Sequence, residues 1–203
     1  MTLNIAIYVF DGVEALDFAG PFEVFTTATR MHARAAPADP PAFNVFTVGR
    51  TRAPVLARAG LKVEPDHALV SHPPIDCLVV PGGVVIDELD KPDVVSWIAH
   101  TAPATRITAS VCTGAFLLAR AGLLDGLQVT THWEDVADLR AAFPALQVIE
   151  GPRWCDAGRL VTSAGISAGI DMSLHLVRRL HSAALATRTA RQMDFDWTDN
   201  GVV

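Results

Sequence analysis

The sequence predicts an α/β fold, a sandwich in which a mainly parallel sheet carries helices on both faces. Three observations lead there. Short β-branched and aromatic runs alternate with helical stretches along all 203 residues. Two runs, Asn4–Phe10 and Asp76–Val80, are apolar at every position after the first, as strands buried on both faces are, where a half-exposed strand alternates. Half of the residues (50%) are hydrophobic and 19% are charged, enough apolar material for one large core and too much for disorder. No repeat or low-complexity tract divides the chain, so residues 1–203 are expected to form a single domain.

The elements follow in order. Asn4–Phe10 (NIAIYVF) reads as a buried strand, and Asp11-Gly12 turns the chain. From Glu14 to about Thr29, Leu16, Phe18, Phe22, Val24 and Phe25 recur at near-helical intervals; Gly20-Pro21 should break this helix into two pieces. Arg34–Pro41 is a Pro/Ala loop, expected to be exposed, and Phe43–Val48 is a strand. Pro54–Glu64 reads as a hairpin turning at Ala59-Gly60. Asp76–Val80 is a buried strand ending at Pro81-Gly82-Gly83, and Pro92–Thr101 is a helix with proline in its first turn. Arg106–Val111 is a strand running into Cys112, followed by a helix from Thr113 to Ala121 that Gly122 closes. Leu127–Thr131 and Leu146–Ile149 read as strands around a helix over Trp133–Ala142. Leu160–Ser163 is a strand entering the turn Ala164-Gly165, and helices over Ser167–Leu180 and Ala183–Met193 complete the chain.

Composition narrows the function. Against 22 acidic residues stand 16 basic ones, a net charge of −6, so the chain lacks the cationic field that nucleic acid or an anionic membrane surface requires. No apolar run approaches the roughly 18 residues that span a bilayer. The start shows no basic segment followed by a long apolar stretch, so a cytoplasmic protein is expected. Cys77, Cys112 and Cys155 are odd in number and widely spaced, which is no disulfide framework. No Cys-x-x-Cys or His-Glu-x-x-His motif calls for a metal, and no cofactor is expected.

Ligands of open α/β sheets bind at the carboxyl ends of the strands. At Ser110-Val111-Cys112-Thr113-Gly114 a strand ends, a nucleophile follows and a helix begins at once, the layout of a nucleophile elbow. Such a turn lifts the thiol out of the sheet, and the adjoining helix N-terminus is expected to lower its pKa. Cys77 and Cys155 read as packing residues. Gly82 and Gly83 bring backbone close to whatever lies above the sheet; Gly83 N–H, with Thr113 N–H, is a candidate oxyanion donor, and a plain strand-end turn is the alternative. Asp17, among Ala15, Leu16, Phe18 and Ala19, is a candidate buried acid with a raised pKa, unless it is simply an exposed acid in a first helical turn. His132, with Glu134 two residues on, offers a Cys–His–acid relay, although spacing does not show that it reaches Cys112.

Leu16-Asp17-Phe18-Ala19-Gly20-Pro21, Val80-Pro81-Gly82-Gly83, Ser110–Gly114, Thr130-Thr131-His132-Trp133 and the run from Leu160 to Asp171 form an ordered set. This set resembles the ThiJ/PfpI superfamily, which shares a flavodoxin-like sandwich with class I glutamine amidotransferases. The superfamily's protease-like and glyoxalase/chaperone branches follow the nucleophile with histidine; here Thr113 stands in that place. Cysteine followed by threonine, with aspartate in a Leu-Asp-x-x-Gly-Pro helix, resembles isonitrile hydratase and the amidotransferase-like domain of AraC-type regulators. The resemblance implies hydration of an isocyanide, with Cys112 as nucleophile, Asp17 as proton donor and the Thr113 hydroxyl positioning water. It also implies a site lined by Gly82, Gly83, Gly114, His132, Gly165 and Ile166. A small-molecule sensor domain without a DNA-binding module, and a weak hydrolase or glyoxalase, are the alternative readings. A small-molecule partner and a homodimer are expected, with no nucleic-acid or membrane partner.

Overall fold

The computed structural model describes residues 1–203. Its central sheet has seven strands: β1 (Leu3–Tyr8), β2 (Phe43–Gly49), β5 (His67–Ala68), β6 (Cys77–Val80), β7 (Ile107–Val111), β10 (Trp154–Asp156) and β11 (Leu160–Ser163). They lie in the order β10-β11-β7-β6-β1-β2-β5, all pairs parallel except the edge pair β10–β11. The middle strands meet water on neither face: every residue of β6 and of β7 is buried, β6 being wholly apolar and β7 carrying two small polar residues, Thr108 and Ser110. The short hairpin of β3 (Val55–Leu56) and β4 (Lys62–Val63) forms where the Ala59-Gly60 turn predicts it.

The helices form two groups, one on each face. α1 (Ala15–Ala35), α6 (Ala168–Leu180) and α7 (Ala183–Gln192) pack on one another, and so do α2 (Ile86–Leu89), α3 (Pro92–Thr101) and α4 (Gly114–Arg120). A single apolar cluster runs through both layers, with Ile5, Ile7, Leu78 and Val79 fully buried at its centre. The result is the flavodoxin-like sandwich that the sequence predicts.

Three expectations are corrected. α1 does not break at Gly20-Pro21; it continues through Pro21 to Ala35 and takes up the start of the expected loop. Pro21 removes one backbone bond, the one to the Asp17 carbonyl. Packing along α6 and α7 outweighs it, and the bare Gly20 lets Ile170 approach closely. The stretches around Leu127–Thr131 and Leu146–Ile149 shorten to β8 (Gln128–Val129) and β9 (Gln147–Val148), which pair with each other outside the main sheet. Both edges of β11 are already occupied, by β7 and by β10. Thr130 N–H is satisfied instead by the Thr162 hydroxyl at 2.9 Å. Sequence reading also missed β5, α2 and β10, each four residues or fewer and too short to show a period. The helix expected over Trp133–Ala142 begins as a 3-10 turn at Trp133–Asp135 and becomes α5 (Val136–Ala142).

Candidate active site

Parallel strands end at one edge, and the register decides which ends meet. Val80 lies opposite Ser110, and Val111 opposite Ser163. Pro81-Gly82-Gly83, Cys112 and Ala164-Gly165 therefore leave the sheet side by side. The loop before α1 is laced onto the first of these: Val13 bridges Gly83, Glu14 N–H donates to the Gly82 carbonyl and Val84 N–H to the Gly12 carbonyl. That lacing places the first turn of α1, with Asp17, beneath the strand ends.

Cys112 has φ +56°, the left-handed region that a non-glycine residue enters at a cost of about 1–2 kcal/mol. Its N–H donates to the Ser163 carbonyl at 3.1 Å, and its carbonyl accepts from the Thr131 hydroxyl at 2.8 Å and from Ala115 N–H. The elbow is thus held from the end of β11, from the loop after β8 and from the first turn of α4. Gly82 has to be glycine, because a Cβ there would lie 2.5 Å from Thr113 N.

Asp17 is fully buried, the first of the two readings that its sequence neighbourhood leaves open. Gly82 N–H donates to its Oδ2 at 3.1 Å, whereas Oδ1 has no hydrogen bond of regular geometry. Burial pushes its pKa up to about 7, against the opposing pull of Gly82 N–H, Ile166 N–H and the Cys112 thiol, which all lie within its reach. The thiol itself is pushed up to about 12, by burial first and then by the charge of Asp17. This corrects the expected lowering. α4 is only seven residues long, and its favourable N–H groups do not offset a desolvated sulfur beside a carboxylate. Cys77 and Cys155 lie inside strands, are buried too, and are likewise raised.

Of the two expected oxyanion donors, Gly83 N–H is corrected, while Thr113 N–H lies within reach of the Cys112 sulfur. Gly83 N–H is taken by the Thr113 hydroxyl at 2.9 Å, and that hydroxyl donates back to the Gly83 carbonyl at 3.0 Å. Thr113 Oγ1 therefore ties two strand ends together and has no proton left to direct a water. Gly114 seats α4 on β6, since a Cβ there would strike the Val80 carbonyl oxygen. Gly165 packs directly on the His132 ring. His132 makes no bond to Cys112, and its Nε2 lies 3.6 Å from the exposed Glu134 carboxylate. The structure brings Cys112 and Asp17 together and leaves His132 beside them, so the Cys–His–acid relay is not assembled.

Ile166 has φ +56°, a strained conformation for a β-branched side chain, and stands half-exposed over the thiol. With Glu14, Arg58, Gly83, Cys112, Thr113 and His132 it lines a cleft of about 210 Å³. Asp135 also reaches this cleft, where Arg58 lies 3.6 Å from Glu14. Sequence reading missed Glu14, Arg58 and Asp135, because they converge from separate loops and carry no local motif. No cluster of three or more His, Cys, Asp or Glu side chains forms a metal centre.

The model of the DJ-1/PfpI family matches residues 3–179. Isonitrile hydratase of Pseudomonas putida is 32% identical over 196 residues, covering 96% of this chain and 79% of that enzyme. The HTH-type transcriptional regulator GbdR of Pseudomonas aeruginosa is 30% identical over 193 residues, 95% of this chain; the chain spans only 51% of that regulator's length. A solved ThiJ/PfpI family protein from Pseudomonas syringae superposes with a TM-score of 0.84 at 26% identity, covering 97% of this chain and 76% of that one. An AraC family transcriptional regulator from Pseudomonas putida shares the fold, with a TM-score of 0.77 at 22% identity over 94% of this chain and 99% of that one.

Proposed function

The chain belongs to the DJ-1/PfpI family, and from that membership and the site we propose that it hydrates an isocyanide to an N-substituted formamide, using Cys112 and Asp17. The observation that carries the reading is the pairing of a strained, cleft-facing thiol with a fully buried carboxyl whose pKa is about 7. The similarity to an isonitrile hydratase supports it.

The chemistry balances with these two groups and water. Asp17, when ionised, takes the thiol proton; this removes the charge that holds the thiol pKa up and leaves a carboxyl that donates back to sulfur. Sulfur then bonds to the terminal carbon of R–N≡C, and the proton passes to that carbon, giving the thioimidate R–N=CH–S–Cys112. Water adds across the C=N bond, the C–S bond breaks with return of a proton to sulfur, and R–NH–CHO leaves. Ile166 and His132 wall the cleft, and Thr113, Gly82, Gly83, Gly114 and Gly165 hold its shape.

One observation favours a second reading, a small-molecule sensor domain: nearly the whole chain also matches a transcriptional regulator. Formamide formation from a simple alkyl isocyanide, followed by NMR, separates the two. Turnover is expected, to be abolished in Cys112→Ser and lowered roughly 10²-fold or more in Asp17→Asn, the usual scale of general acid–base catalysis. Saturable binding without turnover would replace the hydratase reading with the sensor. We further propose that the chain acts as a cytoplasmic homodimer; Leu16, Val84, Ile86 and Trp133 are exposed apolar side chains, and sedimentation velocity tests the assembly.

A further inference from the structure

A second cavity, about 460 Å³, adjoins the cleft and does not contain Cys112. The two share His132 and Ile166, so a molecule whose head reaches the thiol extends past these side chains into it. Trp133, Val136, Pro152, Ala164 and Ala168 make much of its wall apolar. Its charged groups are Arg153 and Glu150.

Arg153 is held in a particular way. Nε donates to Asp171 Oδ2 at 2.5 Å and Nη2 to the Ser167 hydroxyl at 3.0 Å. Asp171 is fully buried and is itself fixed by Thr198 N–H, which donates to Oδ1 at 2.7 Å. Nε and Nη2 form the side edge of a guanidinium, so Asp171 and Ser167 use that edge. The end edge, Nη1 with the second hydrogen of Nη2, has no partner in the protein. A planar fork with one edge anchored and the other free matches a carboxylate in two parallel charge-assisted bonds, and its ordering is complete before a ligand arrives. Glu150, by contrast, is exposed and no side-chain hydrogen bond holds it, so a cation bound there would have to order it.

We propose that the ligand carries a carboxylate on a short apolar arm, and that the end edge of Arg153 receives it. Ser167, bonded to Arg153, directly follows Ile166, so the fork stands beside the wall that the two spaces share and a short arm is the one proposed. This rests on the small-molecule site proposed above and names its substrate class: a short isocyano-carboxylate for a hydratase, or a short carboxylate effector for a sensor.

The test compares N-formyl-β-alanine, its methyl ester and N-(2-aminoethyl)formamide by calorimetry, and 3-isocyanopropanoate and its methyl ester as substrates. The carboxylate is expected to bind at least about 10-fold more tightly than the ester. Arg153→Lys keeps a cation beside Asp171 and loses the fork, and is expected to lose most of that preference. Arg153→Gln with Asp171→Asn removes the pair without leaving a buried charge, and is expected to lose all of it. Equal affinity for carboxylate and ester, tighter binding of the amine, no saturable binding of any probe, or an equal loss on carboxylate and ester in the lysine variant overturns the proposal. Carboxylate-selective binding without turnover keeps it and rejects the hydratase. Equal turnover of 3-isocyanopropanoate and its ester keeps the hydratase and rejects the carboxylate.

Discussion

Asp17 and Cys112 share one desolvated space, and each holds the other's proton in place. An unfolded Asp17 ionises near 3.8 and the folded one near 7, so the folded state binds more protons between those values. The stability this group contributes is full below about pH 4 and is lost as pH rises through about 7. Asp17→Asn is therefore expected to flatten the fall in urea midpoint between pH 5 and pH 8; a wild-type and variant fall of the same size would reject the assignment. The same substitution removes a negative charge beside the sulfur. Iodoacetamide is expected to label Cys112 before Cys77 and Cys155, because only its thiol lines a cleft, and to label it several-fold faster at pH 8 in Asp17→Asn. Faster alkylation with slower turnover is the combination that identifies Asp17 as a proton carrier; if both fall together, Asp17 only supports the fold.

At the scale of elements, the elbow works because rigid neighbours enclose it. β7 feeds Cys112 into α4 within two residues, which requires α4 to start against the end of β6. Gly114 makes that contact possible, and the obstacle to any side chain there is the Val80 carbonyl, backbone inside a sheet that has nowhere to move. Gly114→Ala is expected to cost about 3 kcal/mol or more in urea unfolding, beyond the helix propensity it gains. A loss below about 1 kcal/mol would mean that α4 shifts freely and that the elbow is less constrained than its bonds indicate. α1 illustrates the opposite balance. Its proline was a sound local signal for a break, yet one missing backbone bond is small beside the burial of Phe18, Val24, Phe25 and Ala28 in a helix that packs on the sheet and on α6 and α7.

At the scale of the molecule, the last residues tie the site to the β10 edge of the sheet. Val202 pairs with Cys155, exchanging backbone bonds with Trp154 and Asp156, and Gly201 packs on the Trp154 indole. Arg178 forks onto Asp199 and lies 5.2 Å over Trp197, whose indole N–H bonds to the Asp171 carbonyl. This segment thus clamps the carboxylate that holds Arg153. Removing residues 198–203, which leaves Trp197 in place, is expected to red-shift tryptophan fluorescence, as Trp154 meets water, and to lower Tm. An unchanged emission maximum would show that the segment does not cover Trp154.

The amino-acid sequence by itself determined the sandwich and the elbow at Cys112, and left Asp17 open between a buried acid and an exposed one until packing chose the first. The two determined features rest on local patterns: largely apolar strands, and a nucleophile between a strand and a helix. Three things were decided only by tertiary structure. The thiol pKa moved opposite to the local expectation, because desolvation and the charge on α1 come from chain more than ninety residues away and exceed the pull of a short helix. Gly83 N–H and the Thr113 hydroxyl, free in a one-dimensional reading, satisfy each other across two strand ends. Arg153, Ser167 and Asp171 become a site only when β11 lays the chain before it against α6. Local sequence shows what a residue's immediate chain favours; the partners that settle its charge and its hydrogen bonds are chosen by the packing of the whole.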